Sequence, residues 1–69
     1  MTLPAALDHV RAALRGALAS RPKIGRKAFV RWARAEARQQ TGTRRLSPSA
    51  CRQIDQLVTQ ALEEAQRTA

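Results

Sequence analysis

One cysteine, Cys51, and one histidine, His9, are all that this 69-residue chain offers for internal cross-linking. An intrachain disulfide needs a second thiol, and a Cys/His zinc site needs more ligands than these two residues supply. A chain this short buries a modest share of its surface, so its stability margin is small unless something staples it. With disulfide and metal excluded, self-association or a partner is the expected supplement. The lone thiol and the lack of a signal-peptide pattern point to the cytoplasm.

The composition favours helix, with fourteen alanines, three glycines and three prolines, and no long run of β-branched residues. No apolar run approaches the roughly 20 residues needed to cross a bilayer. Three segments carry helical spacing. Leu3, Leu7, Val10, Leu14 and Leu18 recur at the helical period, predicting a helix over about 3–19 with Thr2 as its cap. Gly16 inside that pattern costs about 1 kcal/mol relative to alanine and marks either a close helix crossing or nothing. Pro22 and Gly25 end the segment. The second helix is expected over about 26–40, with Phe29, Val30, Ala33 and Ala37 in one quadrant, Trp32 on its flank and Gly42 as a left-handed stop. Ser47 and Pro48 then read as a cap and first residue of a third helix over about 48–67. Its stripe is Ala50, Ile54, Leu57, Val58, Ala61 and Ala65, with Leu46 stapled onto Cys51. The expectation is one all-α, three-helix domain with connections of about six residues.

Charge is concentrated, not spread. The net charge of the chain is +8, and residues 21–45 hold all of that excess. Nine cations lie there (Arg21, Lys23, Arg26, Lys27, Arg31, Arg34, Arg38, Arg44 and Arg45) against a single acid, Glu36. Outside that window, four cations balance four acids. At about 100° per residue, Lys27, Arg31, Arg34 and Arg38 fall within about 60° of one another, away from the apolar quadrant. They form a ridge about 16 Å long at 1.5 Å per residue. An ordinary solvated face interleaves charges of opposite sign, because like charges one turn apart repel. No acid of the segment interrupts this ridge.

The ridge suits phosphate. Phosphates repeat at roughly 7 Å along a DNA strand, so four cations can follow two or three of them, with the flanking basic loops reaching others. The expected contacts are Lys27, Arg31, Arg34 and Arg38, with Arg21, Lys23, Arg26, Arg44 and Arg45 from the loops. Gln39 and Gln40 are the few side chains near the ridge suited to reading bases, so sequence preference is expected to be weak. Stacking aromatics are nearly absent, which favours duplex over single strand. Phe29 and Trp32 are read as core, or as subunit interface in the case of Trp32.

Catalysis finds no support. His9 lacks a second catalytic partner, and Cys51 lacks a histidine base and reads as a small buried hydrophobe. There is no carboxylate pair, phosphate-binding glycine loop or metal cluster, so no enzyme, cofactor, metal or small-molecule substrate is expected. Residues 44–69 resemble the loop and long central helix of histone-fold proteins, a basic loop and serine cap leading into an amphipathic helix. The resemblance covers about a third of the chain and implies a small basic helical domain that dimerises on DNA. Compared with helix-turn-helix domains, the third segment is the least basic, carrying Asp55, Glu63 and Glu64, so the second is the better candidate to enter a groove. The sequence therefore predicts a homodimeric, cytoplasmic or nucleoid-associated protein that binds nucleic acid, DNA before RNA. The competing class is an adaptor or inhibitor that docks its basic face on an acidic protein partner.

Overall fold

Local chemistry sets the ends of the helices. The computed structural model describes residues 2–20 and 25–68, which form α1 (Leu3–Ser20), α2 (Arg26–Thr41) and α3 (Pro48–Thr68), with no strand among them. Each helix runs one residue past its expected C-terminus. At the start of α1, the Thr2 hydroxyl accepts from the Ala5 amide at 3.5 Å, and the Thr2 carbonyl from the Ala6 amide at 2.9 Å. Ser47 opens α3 in the same way, its Oγ accepting from the Ala50 amide at 3.1 Å. These caps satisfy amide groups that a first helical turn leaves without carbonyl partners. Gly25 precedes α2 with extended backbone and no side-chain cap. Gly42 closes α2 in the left-handed region, φ 74°, and its N–H donates to the Arg38 carbonyl at 2.9 Å.

Every helix packs against both of the others. The core is built from Ala6, Val10 and Leu14 of α1, Phe29, Ala33 and Ala37 of α2, and Ala50, Ile54, Leu57, Val58 and Ala61 of α3. The α2 and α3 members are those that the spacing predicts, save that Val30 and Ala65 are half-buried. In α1, Val10 and Leu14 are buried as predicted, Leu3, Leu7 and Leu18 are half-buried, and Ala6, outside the predicted stripe, takes a core position. Among the described residues no polar or charged side chain is buried. Burying a side chain such as Leu14 or Ile54 contributes about 1.5–3 kcal/mol. The small alanines of α2 present a narrow face, which lets the helix axes approach. Trp32, Leu7, Leu18, Leu46 and Val30 pack against this core while keeping part of their surface in solvent. The radius of gyration, 11.5 Å, is close to the roughly 11 Å expected for a folded chain of this length.

The structure removes the first of the two readings of Gly16 and corrects the burial expected of Cys51. Gly16 marks no close crossing, because a Cβ placed there would meet nothing within 4 Å. Cys51 is half-buried and not enclosed, since its position falls at the edge of the α3 stripe and not at its centre.

Candidate nucleic-acid interface

Helix α2 divides its polar residues between two flanks. On the flank facing α1 lies Glu36, the acid of the 21–45 window. Its Oε1 stands 3.1 Å from His9 Nε2, and Gln40 Nε2 donates to it at 3.5 Å. The carboxylate is thereby committed to the α1 side. On the flank facing α3 lie Lys27, Arg31, Arg34 and Arg38. Together with Arg26, Val30 and Asp55 they line an open cleft of about 450 Å³. Lys27, Arg31 and Arg38 are exposed. Between the two flanks, Ala28 and Ala35 are exposed as well, and their small side chains leave the helix surface approachable beside the cations.

Arg34 differs from its neighbours. Its Nη2 donates to both Asp55 oxygens, each at 3.0 Å, and the two side chains are 38% and 34% exposed. Within α2 no acid breaks the ridge, yet α3 brings one to it. The cause is position: Arg34 sits where the ridge meets α3, and a half-buried cation there needs a counter-charge or polar partners. Arg34 Nε is enclosed and has no hydrogen-bond partner. Arg26 also leans on α3. Its Nη2 donates to Thr59 Oγ1 at 3.2 Å, and the Thr59 hydroxyl donates to the Asp55 carbonyl at 3.0 Å.

Arg44 and Arg45 are exposed in the connection between α2 and α3, where the Thr43 hydroxyl donates to the Arg45 carbonyl at 2.9 Å. Arg21 and Lys23 lie outside the described residues. Of the two glutamines named for base reading, Gln39 is exposed, whereas Gln40 is half-buried against Glu36. The structure thus brings five of the nine predicted cations to one cleft, and two more to the loop at one end of α2.

Comparison with known protein families, curated proteins and solved structures found no match.

Two participants at the cleft, Asp55 and Thr59, are absent from the predicted set. A signal for Asp55 was present in the sequence. Arg34 and Asp55 stand equally far along the chain from the middle of the 42–47 connection, so an antiparallel hairpin of helices sets them opposite each other. Asp55 also falls at the edge of the α3 stripe that faces α2, not on its outer side. The cleft holds no histidine, thiol or carboxylate pair, and among the described residues no group of acids, histidines and thiols could hold a metal ion. What it can do chemically is place several guanidinium and ammonium donors against an anion.

Proposed function

We propose that this protein is a non-enzymatic nucleic-acid-binding domain that grips the phosphate backbone, of duplex DNA in preference to RNA, through the α3-facing flank of α2. One observation carries the reading. Lys27, Arg31 and Arg38 are exposed along one edge while Glu36, the acid nearest to them in sequence, is turned toward α1. Arg26 also lines the cleft, and Arg44 and Arg45 are exposed in the connection that follows α2. Binding is driven by phosphate neutralisation and release of counterions, with little reading of base edges. Guanidinium groups suit this task because their forked donors match phosphate oxygens.

The test is a fluorescence-anisotropy titration of labelled duplex DNA, single-stranded DNA and duplex RNA at several salt concentrations. With about four phosphates neutralised, duplex affinity falls on the order of a hundredfold between about 50 and about 200 mM salt. Arg31→Glu combined with Arg38→Glu abolishes retention and leaves the helical circular-dichroism signal intact, since both side chains point into solvent. Absence of salt-dependent binding to all three polymers near micromolar concentration refutes the reading and turns attention to an acidic protein partner.

A further inference from the structure

We infer that Asp55 is the counter-ion that phosphate must displace from Arg34, and that it thereby limits the affinity of the α2–α3 cleft. The inference rests on the nucleic-acid reading above and adds a residue from outside the basic segment to it.

The first ground is the form of the ion pair. An arginine grips a carboxylate best edge-on, with two parallel N–H···O bonds from two nitrogens. Here both Asp55 oxygens converge on Nη2 alone, at 3.0 Å each, and Nε has no partner. Half of the guanidinium fork on that edge is unused. The second ground is exposure. With 38% and 34% of the two side chains open to solvent, water and salt weaken the attraction, and such pairs are held loosely. The third ground is placement. Asp55 lines the same cleft as Arg26, Lys27, Arg31 and Arg38, so a phosphate seated among those cations meets a carboxylate at its side. That carboxylate repels the phosphate and occupies the donor the phosphate would use. Binding is then an exchange: a phosphate oxygen takes the Arg34 donor and Asp55 returns to water. The exchange costs affinity but keeps Arg34 pointed into the cleft while it is empty.

The experiment titrates labelled duplex DNA with the intact chain, Asp55→Asn, and the double variant Asp55→Asn/Arg34→Gln, across a salt series. Asp55→Asn binds roughly fivefold tighter, and its log K against log salt slope steepens by about 0.9, because the charge of Arg34 is then no longer offset by a released carboxylate that must regain a counterion. The double variant returns to the wild-type affinity and slope. Wild-type binding with Asp55→Asn unchanged overturns the inference and leaves the nucleic-acid reading standing. A gain that persists in the double variant also overturns it, because the effect then does not pass through Arg34. Failure of the wild-type chain itself to bind any polymer removes both. Should Asp55→Asn lose its helical signal, Asp55→Ser is measured in the same way. Unfolding of both variants makes the pair a strut between α2 and α3 and overturns the proposal.

Discussion

A single side chain of the core tests how thin the stability margin is. Ile54 is fully buried at the centre of the α3 stripe, and cutting it to alanine leaves a cavity costing about 2–5 kcal/mol. A domain of this length holds only about 3–10 kcal/mol in total. Ile54→Ala is therefore expected to lower the urea midpoint sharply, and at the upper end of that range to leave the chain unfolded at 37 °C. Arg52→Ala, an exposed change on the same helix, stays within about 0.5 kcal/mol of wild type. At this scale the sequence was readable where chemistry is local. Thr2, Ser47 and Gly42 cap their helices as their side chains and backbone freedom require. Arg34 was not readable alone, because its partner depends on which face α3 turns toward α2.

Helix periodicity made the three elements legible to within a residue at their ends. Spacing alone said less about glycine inside an element. Gly16, inside a helical pattern, and Gly42, at a helix end, obey opposite rules. Gly16 lies in an open stretch of α1 with nothing near its would-be Cβ, so Gly16→Ala removes only backbone freedom and stabilises by about 0.5–1 kcal/mol. Gly42 holds φ 74°, and Gly42→Ala forces a Cβ into the left-handed region at about 1 kcal/mol or more. Thermal melts of the two variants should move in opposite directions, each by about 4–8 °C per kcal/mol. The cleft was only half legible at this level. The α2 ridge follows from spacing within one helix, whereas Asp55 on the α3 side emerges only when the two helices are paired as an antiparallel hairpin.

For the whole molecule, the charge imbalance of +8 over 69 residues has a cost in stability. Like charges crowded along α2 and its connection repel one another in the folded state, and added salt screens them. Of the pairs that salt would weaken, Arg15–Glu64 at 3.7 Å is exposed and Arg34–Asp55 is half-buried but still open to solvent, so both contribute little. The melting temperature is therefore expected to rise between about 10 and about 300 mM sodium chloride, within roughly one Debye length of the crowded cations. A fall on the same scan would show that the ion pairs outweigh the repulsion. The carboxylate of Glu36, tucked against His9 on the α1 side, has a further consequence for encounters in solution. It leaves the protein electrically lopsided, so a polyanion at a distance exerts a torque before it makes contact. The molecule swings until α2 leads, so on the proposed function the first collision happens on the side that carries the cleft.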